Sequence, residues 1–308
     1  MFPENVMRWG RQPPLQTTAI ADRGRRCIRR YHVRHGGRKG IAVSEFSRDC
    51  LTHLMDYPDL PIHLNPAQVI KTDATTLLLR TELRLSSGRV DVAYKRIQRR
   101  TLIKTVTSVL RPRRLLRSWS IGHHLLTRGV ATPRPFAAIT APWFARQADG
   151  YLITQWVADA VPADVFLRDL RRRSPRVRQT LLRSAATQLG DLVAKIHAAR
   201  VTHRDLKAGN VLLREHGQGV EACVIDLEGA AIVFRLTSRK RYKNLARLVV
   251  CFRDDADVSL SLRLRFCRAY LEASDVPREH WKSFWTALDR HSERLWRKKQ
   301  RRRQRHSR

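Results

Sequence analysis

At 308 residues the chain is long enough for two packed lobes rather than one small domain. Its 61 Lys and Arg against 27 Asp and Glu leave a formal charge of +34, which points to polyanionic partners: nucleic acid, anionic lipid headgroups or phosphorylated glycans. The five cysteines are widely spaced with no C-x-x-C pair or zinc pattern, which fits free thiols in a reducing compartment, and no apolar stretch is long enough to span a membrane as a helix.

The first elements to expect are strands. Thr76 to Leu83 is rich in Thr and Leu, Ser86 to Gly88 reads as a turn, and Val90, Val92 and Tyr94 alternate with polar or small residues, so a hairpin should end near Lys95. Pro112 suits the start of a helix whose Leu115, Leu116, Trp119, Leu125 and Leu126 share a face, and Gly129 with Pro133 suits its end. A strand from Tyr151 to Trp156 follows. Ser174 and Pro175 then open a long helix with Leu182, Ala185, Leu189, Val193 and Ile196 at helical spacing. Val211 to Leu213 and Ala222 to Ile225 read as short strands about a turn at His216 to Gly219, and helices fill the remainder. The order predicts a two-lobed α+β fold with a small mixed β-sheet and helix lobe followed by a mainly helical one. Its expected divisions are a basic, partly disordered extension over 1–64, the small lobe over 65–156, the large lobe over 157–290 and a basic disordered tail over 291–308.

Three segments carry chemistry, and each supplies a part that phosphoryl transfer needs. HRDLKAGN, from His203 to Asn210, matches the kinase catalytic loop H-R-D-x-x-x-x-N. Asp205 stands where a carboxylate takes the acceptor hydroxyl's proton, Asn210 where an amide oxygen holds magnesium, and Lys207 within reach of the transferred phosphate. His203 suits packing. Asp226 ends an apolar strand in VIDLEG, at the place of the D-F-G aspartate that grips magnesium between the phosphates of ATP, and Glu228 replaces the usual Gly there, open either to metal or to an Arg. VAYK, from Val92 to Lys95, puts small Ala93 where an adenine ring can lie and Lys95 on the same strand face, toward the α and β phosphates.

HRDLKAGN, VIDLEG and VAYK, together with SWSIGHHLLTRGVATPRPFA from Ser118 to Ala137, resemble the lipopolysaccharide kinase family, which phosphorylates Kdo or heptose sugars of the inner core. The resemblance spans about Val69 to Leu271, and its discriminating feature is the helix followed by Gly129 and Thr132 to Pro135. It implies a protein-kinase-like fold, ATP and Mg2+ as cofactors, and a glycolipid or sugar acceptor. A cytoplasmic location follows, with peripheral contact at the anionic cytoplasmic face of the inner membrane. Three positions depart from the kinase pattern. VIKTDATT, from Val69 to Thr76, holds no Gly, so Thr hydroxyls and backbone amides would have to cover the phosphates. No acid lies between Lys95 and Asp149, with Ser118 near the site of the missing helix Glu, so Lys95 needs another anchor. Asn244 stands where an Asp often braces the catalytic loop.

The stretch after Asp226 lacks A-P-E and reaches a basic helix quickly, which leaves little platform for a protein acceptor and favours a small one. Two other readings use the same charge. One is a non-catalytic pseudokinase that binds anionic membrane or nucleic acid through its basic termini, and the other is an atypical, RNA-associated protein kinase.

Overall fold

The computed structural model describes residues 29–63, 67–86, 88–98, 111–140 and 148–306. Cys27 and most of the basic N-terminal stretch lie outside these, as does Ser87 of the expected turn. The small lobe is a seven-stranded antiparallel sheet in the order β1-β2-β6-β7-β5-β4-β3. Its strands are β1 (Arg30–His35), β2 (Arg38–Val43), β3 (Gln68–Asp73), β4 (Thr76–Leu85), β5 (Gly88–Gln98), β6 (Pro135–Thr140) and β7 (Ala148–Gln155).

Two helices, α1 (Arg48–Asp56) and α2 (Leu60–His63), precede β3. Ser47 caps α1, its Oγ accepting from Cys50 N at 3.0 Å. These early elements correct the expectation that residues up to 64 form a separate extension. Ile41, Ala42, Val43, Phe46, Leu51 and Met55 are all buried in the small-lobe core, and β2 pairs directly with β6. Only β1 alternates, while β2 buries Ile41, Ala42 and Val43 in a row, so short runs between charged residues gave no strand pattern in the sequence.

Helix α3 (Arg111–Leu126) lies between the two cores: Trp119 packs with the sheet, while Ile121 and Leu125 pack with the helical lobe. Gly129 follows it at φ +70°, a left-handed turn that suits glycine. The large lobe is built on α4 (Ala163–Leu170), α5 (Pro175–Ala198), α6 (Ser238–Val249), α7 (Leu260–Glu272) and α8 (Trp281–His306). Two small sheets join them: β8 (Ala160–Pro162) with β10 (Val211–His216) and β11 (Gly219–Val224), and β9 (Val201–His203) with β12 (Ala230–Ile232). Ser174 is the N-cap of α5 with Pro175 next, although the Ser174 side chain makes no capping bond. Gly190 lets α5 meet α7, since a Cβ there would lie 2.4 Å from Phe266 O.

The tail expected to be disordered continues as α8 to His306. Phe284, Leu288 and Ser292 are buried along one face of it, Trp296 Nε1 donates to Asp254 Oδ1 at 2.9 Å, and Arg253 pairs with Glu293. Lys, Arg and Gln are good helix formers, so once that face is held, charge alone does not unwind the helix.

Candidate active site

The junction between the lobes collects the chemistry-bearing residues through backbone bonds that the sequence spacing alone does not reveal. After β9, Asp205 N donates to His203 Nδ1 at 3.2 Å, and His203 is fully buried. Burial lowers the pKa of the His203 ring, keeping it neutral as a packing element. Asn244, on α6, accepts at Oδ1 from His203 N at 2.8 Å and from Thr202 Oγ1 at 3.3 Å. It therefore braces the start of the catalytic loop as a neutral acceptor.

Asn210 closes the same loop. Its Nδ2 donates to Asp205 O at 2.7 Å and to Asp205 Oδ2 at 3.1 Å, which leaves Oδ1 as an oxygen donor. Ile225 N donates to Asn210 O at 3.0 Å, tying the loop to the strand that carries Asp226. Lys207 Nζ lies 2.9 Å from Asp205 Oδ2, and that hydrogen bond is the main reason its pKa is raised. Both side chains are half exposed, so Asp205 faces solvent.

The GVATPRP segment fixes the other side of the Asp226 strand. Val224 N donates to Ala131 O at 3.0 Å, and buried Thr132 donates through Oγ1 to Val224 O at 2.8 Å. Pro135 rests against Gly122 of α3, where a Cβ would come within 2.5 Å of its ring. The segment singled out in the sequence thus ties helix α3 to the strand that precedes Asp226.

Asp226 itself sits at φ +57° and ψ +59°, a left-handed conformation that Asp tolerates better than most residues. That turn aims its Oδ1 at Lys95 Nζ, 2.9 Å away. Glu228 Oε1 lies 2.6 Å from the same ammonium. Burial pulls the Lys95 pKa down, but the Asp226 and Glu228 carboxylates outweigh it and the net direction is up. For Asp226 burial pushes up and Lys95 pulls down, and the cation wins. Lys95 is therefore charged and held.

Lys95, Asp205, Lys207, Asn210 and Asp226 are brought to one junction, with Ala93 partly buried on the Lys95 face of β5. Glu228 as the partner of Lys95 was missed, although an acid at the usual Gly position was visible in the sequence. The helix position offers no substitute: Ser118 is buried, and its Oγ has no partner among the described residues. Helix α3 instead packs on the Leu227–Gly229 turn, with Arg117 Nη2 donating to Glu228 O at 3.4 Å. The β3–β4 turn also differs from expectation. Thr75 gives its N–H and its hydroxyl to Asp73 Oδ1, at 2.8 and 2.9 Å, so neither is free to cover phosphates.

An oxygen-rich donor set of Asp226 and Asn210 Oδ1 fits Mg2+, a hard cation commonly held by one or two protein carboxylates plus substrate phosphates. Among the described residues no group of three His, Cys, Asp or Glu converges on a metal position, and such a shared site does not need one.

The model of the lipopolysaccharide kinase (Kdo/WaaP) family matches residues 72–287. The chain belongs to that family. Two curated members, both described as 3-deoxy-D-manno-octulosonic acid kinase, from Haemophilus influenzae strains PittEE and ATCC 51907 / DSM 11121 / KW20 / Rd, are each 30% identical over 112 residues, covering 34% of this chain and 42% of theirs. The chain thus matches less than half the length of these relatives. A solved structure titled "WaaP in complex with acyl carrier protein" is 25% identical and superposes with a TM-score of 0.50, covering 80% of this chain and 96% of that one. The kinase-like α+β architecture expected from the motifs is thereby the fold of this Kdo/WaaP-family chain. Among its described residues no helix is long and apolar enough to cross a membrane.

Proposed function

We propose that this chain is an ATP-dependent phosphotransferase that moves the γ-phosphoryl group to a sugar hydroxyl of a lipopolysaccharide-core-type glycolipid. The observation that carries this reading is the Asn210 amide bonded to Asp205 while its own carbonyl is bonded by Ile225, next to Asp226, so that base and metal-site residues form one connected unit. Family membership supports the acceptor class.

Asp205 would take the proton of the acceptor hydroxyl as its oxygen bonds to the γ phosphorus, and the bond to the β–γ bridging oxygen breaks to release ADP. Lys207 would neutralise charge on the transferred group, and Lys95 would hold the α and β phosphates beside Ala93. Asp226 and Asn210 would hold Mg2+, which when bound offsets phosphate charge. Glu228 would keep Lys95 oriented when Asp226 turns to the metal. The non-catalytic reading drew on an unanchored Lys95, and the 2.6 Å pair with Glu228 removes that ground. A working position on the cytoplasmic face of the inner membrane belongs to the same proposal.

The test is transfer of label from γ-labelled ATP, with Mg2+, to Kdo- or heptose-containing core glycolipid by the parent chain and by Asp205→Asn. Label should appear with the parent and fall at least a hundredfold in the variant, on the order of a lost general base. Equal labelling by both would overturn the mechanism.

A further inference from the structure

The segment leaving the Asp226 turn carries an apolar tip among exposed cations. Strand β12 runs antiparallel to β9, with Ala230 opposite His203 and Ile232 opposite Val201, so its tip lies at the end of β9 away from Asp205. Ile232, the last residue of β12, is 50% exposed and Phe234, two positions on, is 94% exposed, with the more covered Val233 between them. A single exposed apolar residue is ordinary, whereas two exposed apolar side chains two positions apart at a tip rimmed by cations are an interaction signal.

The charge around it has one sign. From Gly229 to Arg253 the sequence contains no Asp or Glu. Arg235, Arg239, Lys240 and Lys243 are exposed, and among the described residues none of them forms an ion pair. Other cations of the stretch are engaged inward: Arg241 meets Tyr270 and Asp275, and Arg253 meets Asp289 and Glu293. Exposed Arg200 joins the rim, because Val233 N donates to Arg200 O at 2.9 Å.

We propose that Ile232 and Phe234 insert into the headgroup layer of an anionic lipid bilayer while Arg235, Arg239, Lys240 and Lys243 bind its phosphates. This holds the helical lobe at the membrane through the Val201 end of β9, and it rests on the glycolipid-acceptor reading only for why that location is useful. Cations near an anionic surface and an aromatic ring at its boundary act together in such binding. An aliphatic Ile232 gains from leaving water but offers nothing for base stacking, which favours lipid over nucleic acid.

The experiment is sedimentation of the whole chain with phosphatidylethanolamine vesicles prepared with and without phosphatidylglycerol. Binding should require phosphatidylglycerol, weaken with salt, and fall about tenfold or more in Ile232→Ser/Phe234→Ser and in Arg239→Glu/Lys240→Glu. Phosphorylation of a water-soluble, delipidated core oligosaccharide and the thermal midpoint should stay at the parent values. Absence of vesicle binding by the parent, or binding that neither pair weakens, overturns the proposal. So does loss of soluble-acceptor phosphorylation in the Ile232/Phe234 pair, which would make the tip part of the acceptor site. Tighter binding of a duplex RNA that is lost in the same variants would assign the surface to nucleic acid instead. If the parent phosphorylates neither acceptor, the acceptor reading fails, and the vesicle result still decides the docking surface.

Discussion

Lys95 Nζ lies 2.6 Å from Glu228 Oε1, so the carboxylate that anchors this Lys comes from the turn after Asp226 rather than from the small-lobe helix. Both side chains are mostly buried, at 19% and 28% exposed, where charge-assisted contacts are screened less than at the surface. Glu228→Gln keeps the shape and removes the charge. It should lower kcat/KM for ATP by about 10- to 100-fold, chiefly through KM, with Glu228→Asp recovering part of the loss. Steady-state kinetics with varied ATP would show this, and parent values in the Gln variant would contradict the pairing's role.

Asp205→Asn should separate chemistry from binding. An Asn side chain still accepts the Asn210 amide bond but cannot take a proton at the reaction pH. Turnover should fall by about 10² to 10⁴ while the Kd for ATP changes by less than about threefold. A comparable loss in ATP affinity would place Asp205 in nucleotide binding instead.

Asn244 holds two groups of the catalytic strand through one buried oxygen. Asn244→Ala leaves the His203 N–H without its acceptor, a cost of about 1–3 kcal/mol, and loosens the segment leading to Asp205. Urea denaturation should register the stability loss and turnover should drop with it. An unchanged midpoint would mean that water replaces the side chain.

Gly190→Ala tests the α5–α7 contact. The added Cβ would meet Phe266 O at 2.4 Å and the Ala269 Cβ at 2.9 Å, so one helix must shift. The loss should be at least about 1–3 kcal/mol, read as a lower thermal midpoint with unchanged ATP affinity per folded molecule.

Two buried histidines give the fold an acid limit. Burial lowers the pKa of His123 to about 4 and that of His197 to about 3, against 6.5 in the unfolded chain. Between those values the unfolded state binds more protons than the folded one, so stability is intact above 6.5 and declines as the pH falls through this window. From about pH 7 to about pH 5 each should remove on the order of 2 kcal/mol of unfolding free energy. Equilibrium denaturation at the two pH values measures it, and a flat profile would show that these rings gain protons in the folded state.

Local pattern was enough for several elements. The β4–β5 hairpin, helix α5 behind Ser174 and Pro175, and the turn at His216 to Gly219 follow from alternation, helical spacing and turn residues, which act over a few neighbours. The catalytic loop was legible because its residues are consecutive. Strands β1 and β2 were hidden among Arg residues, and α8 was hidden by its charge, because both are held by distant partners: β6 for one, Asp254 and Arg253 for the other.

The sequence by itself marked Asp205, Lys207, Asn210 and Asp226 as the candidate set, along with Lys95 near the end of its strand. Only the tertiary structure decided what holds Lys95. An ion pair depends on distance in space, and the left-handed turn at Asp226 carries Glu228 across the junction to a Lys 133 positions earlier, a contact that no local periodicity encodes.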